Sequence, residues 1–501
     1  MYNNKGPGPH KRQDPEYNCK LNYENLKDIF SSCGDFVSRK IQVGTENKFE
    51  IYLCWIDGLV TGRDIAEEII RPLAQSRRLA EAADLAECRD LIMQGGIYSY
   101  AVNLRESMDE TIADISLGCC AVIFGDLQCA LCFEARSALV RAVSEPTLEK
   151  SLKGAKDSFV EVLRINTSLV RRRICSPKLK LVESTVGRKS HTRVAIMFVD
   201  GIASPDTVEE LARRLDSVDI DALTALGGLE EYIVDAPRSP FPQILHTERP
   251  DRFAMYLMEG RVGLLVDGIP IALVVPVSLS EFLKVTSDNS MHHLVASTLA
   301  LLRYISVFLC VFLPAFYVAV AMYHQEMIPT RLLLSIIEAK QDVPFSTAFE
   351  VLSMMVALNM LQEAGLRLPN PIGDTISIIG VLIVGQSAVE ARVVSPIAII
   401  VVAVSGISSY TIPSQDLGFA LRLCRFVLLL SAIAAGLFGV GVVSTLILLH
   451  LASIDSFGVN YTSPLSSPKP GGLIRLFYKP FKPNDKFRDP TLNTPDKRRQ
   501  R

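Results

Sequence analysis

The chain changes character near residue 294. Before it, apolar and polar positions alternate in short runs. From Leu294 to Ile454 apolar residues dominate over long stretches. Phe426 to Ser453 carries no formal charge, and neither does Val393 to Pro413. Crossing the hydrocarbon layer takes about 20 mainly apolar residues, so both are expected to span it. Ala300 to Met322 is a third such stretch, with Arg303 near its start, and Thr375 to Val389 is a shorter fourth. The pattern predicts an all-α polytopic membrane domain over 294–454. It has about four spans, at about 300–322, 375–391, 393–413 and 426–451.

The half before it reads as a soluble α/β region built from two related subdomains. Phe49 to Val60 is rich in aromatic and β-branched residues, as strands are, and Gly62 to Gln75 has apolar positions at helical spacing. Arg193 to Ile202 is a second such strand. Ser204-Pro205-Asp206 then starts a helix, with proline in the first turn. Ile56-Asp57-Gly58-Leu59 aligns with Val199-Asp200-Gly201-Ile202, 143 positions on. Asp109 to Leu131 aligns with Asp251 to Leu273 at an offset of 142. Each copy of the latter reads as a helix, a glycine stop and two strands joined by a tight turn. The same order at a nearly constant offset points to duplication. The expected boundaries are a disordered polar tail at 1–24, one subdomain at 25–150 and a basic connector at 151–190. The second subdomain follows at 191–293, and a basic, proline-rich tail at 455–501.

Composition narrows the function classes. A net charge of -2 over 501 residues argues against a general nucleic-acid binder. The eleven scattered cysteines suit a reducing compartment better than a disulfide framework. The first 18 residues hold no apolar core of a signal peptide. The tail carries Lys469, Arg475, Lys479, Lys482, Lys486, Arg488 and Lys497-Arg498-Arg499, so it is expected on the cytoplasmic side. The N-terminal half is expected there too, which requires an even number of spans. Arg392 then falls inside, and Arg422 and Arg425 fall outside, on a segment lying along the membrane.

Catalytic chemistry is not visible. There is no phosphate-binding glycine loop, no HExxH and no GxSxG, so no catalytic, cofactor or metal residues are assigned and no cofactor is expected. Cys129-Ala-Leu-Cys132, near Cys119 and Cys120, alternates like a buried strand and fits packing better than zinc. His292-His293 reads as an exposed interfacial pair. The run Arg171-Arg172-Arg173 with Lys178 and Lys180 reads as a solvated helix end or a surface for anionic lipid.

Three constellations remain. Gly373, Ser377, Gly380, Val384 and Ser387 share one helix face in the predicted second span, as a packing face or a pore-facing stripe. Phe241-Pro242 and Thr247-Glu248-Arg249-Pro250-Asp251 read as a joint between the subdomains, or a ligand or subunit contact in their cleft. Pro250 and Asp251 suit the first turn of the following helix. His324-Gln325-Glu326 follows the first span as a coupling loop. Thr347 to Ala364, with apolar positions at helical spacing but Glu350 and Glu363 among them, reads as an interfacial helix.

The stretches Ser144 to Arg173, Ser239 to Asp251 and Tyr323 to Thr330 closely resemble the GerA family of endospore-forming bacteria. The match is to the A subunit of spore-germination nutrient receptors. The resemblance runs from about Asn25 through Leu465. The pattern Phe-Pro-x-x-x-x-Thr-Glu-Arg-Pro-Asp, here Phe241 to Asp251, is its most specific part. The resemblance implies a subunit of the spore inner membrane, with both termini on the core side. It further implies that A subunits oligomerise and work with a transporter-like B subunit and a lipoprotein C subunit, coupling nutrient sensing to ion release. An accessory channel without nutrient specificity and a non-conducting scaffold are the alternatives.

Overall fold

The computed structural model describes residues 16–43, 49–136, 154–367, 385–466 and 476–500, with Pro146 and Glu149, apart from positions 18, 83, 97–100, 482 and 484. The chain divides into two compact units. Met1–Ile233, His246–Val275 and Phe487–Arg501 form the first, and Val234–Leu245 with Pro276–Lys486 form the second.

The first unit holds two five-stranded sheets. One comprises β1 (Phe36–Val43), β2 (Phe49–Ile56), β3 (Val102–Arg105), β4 (Cys119–Phe124) and β5 (Cys129–Glu134), in the order β1-β2-β4-β5-β3. The other comprises β6 (Leu179–Val186), β7 (Thr192–Val199), β8 (Leu245–Thr247), β9 (Val262–Val266) and β10 (Ala272–Val275), in the order β6-β7-β9-β10-β8. The orders are the same, element for element. Helix α1 (Met108–Ser116) precedes β4, and its counterpart before β9 runs Pro250–Glu259.

The register repeats as well. Phe36 faces Ile56, and their counterparts 143 positions on, Leu179 and Val199, face each other. Tyr52 faces Ile123, as Ala195 faces Leu265. Cys120 faces Phe133, as Val262 faces Val275. A slip of one residue would turn every side chain to the other face of its sheet, so shared register is a stringent match. The glycines agree too. Gly58 and Gly201 have φ of 88° and 75°, and Gly118 and Gly260 have 92° and 101°. That region is closed to most L-residues and open to glycine.

The stretch expected to connect the copies is built into them. It supplies α2 (Leu163–Arg171) and the edge strand β6. Of its basic residues Arg172, Arg173 and Lys178 are exposed, whereas Arg171 and Lys180 are buried. The Arg171 guanidinium donates to both Asp35 carboxylate oxygens at 2.7 Å, with both residues buried. The Lys180 ammonium donates to the carbonyls of Ile29 and Ser31. Gly34 N–H donates to Leu181 C=O. Cations from the second copy thus close on the first. Helix α3 (Pro205–Asp216) follows β7, as sequence spacing predicts, and α4 is the Pro250–Glu259 helix.

The second unit is helical. It contains α5 (His293–Tyr323), α6 (Thr330–Lys340), α7 (Thr347–Arg367), α8 (Pro396–Tyr410) and α9 (Gln415–Ser453). By length and composition, α5 and α9 are each able to cross a membrane. Most of the predicted second span, 375–391, lies outside the described residues.

Helix α9 is not one rod. At 39 residues it would reach about 58 Å if straight, nearly twice the hydrocarbon thickness. Ala435 and Gly436 leave the helical region, Gly436 with φ 59° and ψ -143°. A Cβ on Gly439 would meet the Ser431 carbonyl oxygen, although eight helical residues should separate them by about 12 Å. The chain therefore doubles back. Its first arm follows α5 upward: Arg425 binds Ser405, which donates to Cys310 C=O, and Ile433 C=O accepts from the Tyr323 hydroxyl. Its second arm returns to the start of α5. Val277 N–H donates to Ser456 Oγ, and Leu279 N–H to Tyr461 C=O. The expected single stretch at 426–451 is thus a helical hairpin.

Candidate functional site

The signature from Phe241 to Asp251 lies across the division between the units. Its first part belongs to the helical unit. Phe241 is buried, with its ring centroid 6.1 Å from that of His450 at the end of α9. Ser239 Oγ lies 2.9 Å from His450 Nε2. Gln243 closes the loop on itself, accepting from Ala236 N–H and donating to Ala236 C=O. Its own carbonyl accepts from Ser456 Oγ, in the small hairpin of β11 (Asp455–Ser456) and β12 (Val459–Asn460). Asp235 accepts from Phe457 N–H. Pro242 carries the chain through this loop.

The second part is locked into the sheet unit. Thr247 Oγ1 donates to Glu149 Oε2 and accepts from Arg249 N–H. Arg249 is 1% exposed and forks onto Asp251, with Nε 3.0 Å from Oδ1 and Nη2 2.6 Å from Oδ2. Its Nη1 reaches Glu149 C=O. Arg252 binds the other Glu149 oxygen and the Tyr256 hydroxyl. Glu248 C=O accepts from Phe159 N–H. Pro250 occupies the first turn of α4, as its fixed φ favours. Each of the three guanidinium nitrogens of Arg249 makes a hydrogen bond within this unit.

The far end of α4 is held too. Arg488 Nε donates to Met258 C=O in its last turn, and Nη1 donates to Asp496 C=O. Gly260 caps the helix with a left-handed residue against Thr494 and Ile202. The basic tail is thus partly a strap on α4, a role that its charge pattern did not reveal.

His324-Gln325-Glu326 sits at the tip of the α9 hairpin. A Cβ on Gly436 would meet His324 Cε1 and Tyr323 Cβ at 3.1 Å. His324 Nδ1 lies 3.4 Å from Ala319 C=O, and Gln325 Nε2 donates to Ala321 C=O. Glu326 lies in the short turn that follows. The stripe Gly373, Ser377, Gly380 and Val384 lies outside the described residues. Ser387 lies in a helical stretch and is exposed.

Two charged residues of the apolar half are buried in the helical unit. Glu350 is 0% exposed, accepting from Ser395 N–H at the start of α8 and lying 3.2 Å from the Lys340 ammonium. Arg425 is not on an outer segment. It is 0% exposed among α7, α8 and α9, donating to Asn359 Oδ1 at 2.9 Å and Ser405 Oγ at 3.1 Å. Arg392 pairs with Asp342 beyond α6, at the end of the bundle opposite the tail residues that pack on the start of α5.

A cleft of about 390 Å³ lies between the two sheet copies, lined by Tyr17, Asp28, Ser31, Lys178, Lys180 and Asp200. Lys180 is held by backbone carbonyls, and Lys178 pairs with Glu16. Among the described residues no group of three His, Cys, Asp or Glu side chains could hold a metal. Burial pushes the thiols of Cys54 up to about 12 and of Cys88 and Cys119 up to about 11, which leaves them protonated.

Comparison with known proteins gives a coherent set. The sequence model of a family described as Bacillus/Clostridium GerA spore germination protein matches residues 24–489. Spore germination protein B1 of Bacillus subtilis (strain 168) is 36% identical over 450 residues, covering 90% of this chain and 92% of that protein. Spore germination protein KA of the same organism is 34% identical over 479 residues, covering 95% and 87%. The uncharacterized membrane protein YfkQ, also from that organism, is 35% identical over 463 residues, covering 92% and 89%. Among solved structures, the N-terminal domain of the A subunit of the Bacillus megaterium spore germinant receptor GerK3 matches with a TM-score of 0.40 and 28% identity. The match covers 51% of this chain and 95% of that one.

Proposed function

The chain belongs to the GerA family of spore germination proteins, and from that premise we propose that it is the A subunit of a nutrient receptor in the spore inner membrane. It acts without catalysis, coupling nutrient sensing to ion release. It works with a transporter-like B subunit and a lipoprotein C subunit, and with further copies of itself. The sheet unit is the assembling and sensing part, and the helical unit is the output.

One observation carries the coupling: the signature is divided between the units. Phe241 lies against His450 at the end of α9 and Gln243 against the hairpin that follows it, and Thr247 to Asp251 is clamped to Glu149 and α4. A displacement of either anchor must pull on the chain between them, since a peptide spans at most about 3.6 Å per residue. The tail supports the orientation, with both ends on the core side. Tyr304 and Phe477 pack ring to ring, and Lys479 N–H donates to Ser297 Oγ, so the chain leaves α9 beside the point where it enters α5. Lipid surrounds this bundle, and nucleic acid has no part in it.

The test is a clean deletion of the gene in its own spore-forming host, with germination followed by loss of optical density and release of dipicolinate. Spores are expected to lose the response to one class of nutrient and to keep those served by other receptors. Unchanged responses to every nutrient tried would remove the receptor reading. Purified complex in liposomes should then show cation flux only when that nutrient is present.

A further inference from the structure

Helix α7 exposes large apolar side chains and also buries polar ones beyond its apolar core residues Val351, Met355 and Leu358. Phe349, Val356 and Met360 are exposed, Met360 at 68%, whereas Glu350 and Gln362 are buried. Its inner face is apolar at Ala348, Val351, Met355 and Leu358, packed with Val318, Ala398, Val402 and Leu429, and turns polar at Asn359 and Gln362. Asn359 Nδ2, Gln362 Oε1 and Arg425 Nε are buried and unpaired. Gln362 Nε2 donates to Ser409 Oγ on α8, so these groups form one region bounded by α5, α7, α8 and the first arm of α9. Lys340 already matches the carboxylate of Glu350. Arg425 has no such match: its bound groups are an amide, a hydroxyl and the Cys310 thiol.

A buried guanidinium without a counter-charge is strongly unfavourable in a dry interior. Unpaired buried polar atoms are rare for the same reason, and water or an ion is their usual partner. We propose that the end of α7 from Asn359 to Gln362 lines a small hydrated chamber in the bundle, in which Arg425 holds a small monovalent anion and rejects cations. The chamber rests on the reading that this bundle lies in lipid. A cation released by the receptor therefore takes another route than past Arg425.

The experiment uses full-length protein in liposomes with Cys19, Cys175, Cys310 and Cys424 changed to alanine. Single cysteines are introduced as N359C and Q362C, with S409C as a second probe of the same region. F349C and M360C serve as lipid-facing controls. Each is treated with an anionic and a cationic methanethiosulfonate of matched size. The inner positions are expected to label, the anionic reagent about tenfold faster, as a nearby unit charge at intermediate dielectric favours. The bias should disappear in R425Q and persist in R425K, each checked for a monodisperse fold by gel filtration. No labelling at any inner position would show a dry core and overturn the chamber. A bias that survives R425Q would overturn the role of Arg425. Labelling of F349C and M360C as fast as Q362C would sink the lipid placement itself, and the chamber with it.

Discussion

Asp35 and Arg171 are 136 positions apart and form a bidentate pair with almost no exposure. Removing one partner strands a buried charge, which costs about 3–5 kcal/mol. Asp35→Ala should therefore lower the thermal midpoint of the detergent-solubilised protein sharply. Asp35→Ala combined with Arg171→Leu should recover part of the loss. Gly260 makes a different demand. Its φ of 101° is costly for alanine, by roughly 1–2 kcal/mol, and the new methyl group would press on Thr494 and Ile202 C=O. Gly260→Ala should destabilise by at least that amount, read by thermal unfolding. The cysteines make a third case. Cys19 and Cys175 are exposed, while Cys54, Cys88 and Cys119 are buried with raised pKa. Maleimide at pH 8 should modify the first two in the folded protein and reach the others only after unfolding. Sequence alone suggested that the four cysteines around β4 and β5 were packing groups. It gave no hint of Asp35 and Arg171, because an ion pair between residues 136 positions apart leaves no periodic trace.

At the scale of elements, the duplication was readable because two short alignments differed by one residue in offset. That small difference locates itself between β2 and β4, and the observed registers follow from it. The hairpin in α9 was not readable. A hydropathy pattern records how apolar a stretch is, and Ala435 and Gly436 are as apolar as their neighbours. Only their dihedral angles reverse the chain. Gly439 packs closely against Ser431, whereas Gly436 makes the turn. Gly436→Val should straighten or unfold the tip, since a β-branched residue is strongly disfavoured at positive φ. The expected result is a large loss of monodisperse protein on gel filtration. Tyr323→Phe removes one hydrogen bond to the freed Ile433 carbonyl and should cost about 0.5–1.5 kcal/mol, seen as a modest fall in the thermal midpoint.

At the scale of the molecule, the two units are threaded through each other by sequence. The chain leaves the sheet unit at Ile233, returns at His246, leaves again at Val275 and returns at Phe487. Family resemblance marked Phe241 to Asp251 as one motif, and the fold shows why its halves differ in chemistry: aromatic and extended first, charged and clamped second. Arg249→Ala should lower the abundance of the protein in spore membranes, measured by immunoblot, without changing which nutrient triggers the residual response. A changed nutrient preference at normal abundance would instead favour a ligand role for the joint.

That threading has a cost in biogenesis. The loop carrying Phe241 reaches its partner His450 only after about 200 further residues are made, about 10–40 s at usual bacterial elongation rates. During that interval Phe241 and Ile244, both buried in the finished protein, have no surface to cover them. A nascent chain stalled before α9 would display them to chaperones and proteases, and quality control could thus recognise an unfinished membrane half by a loop that emerged long before it.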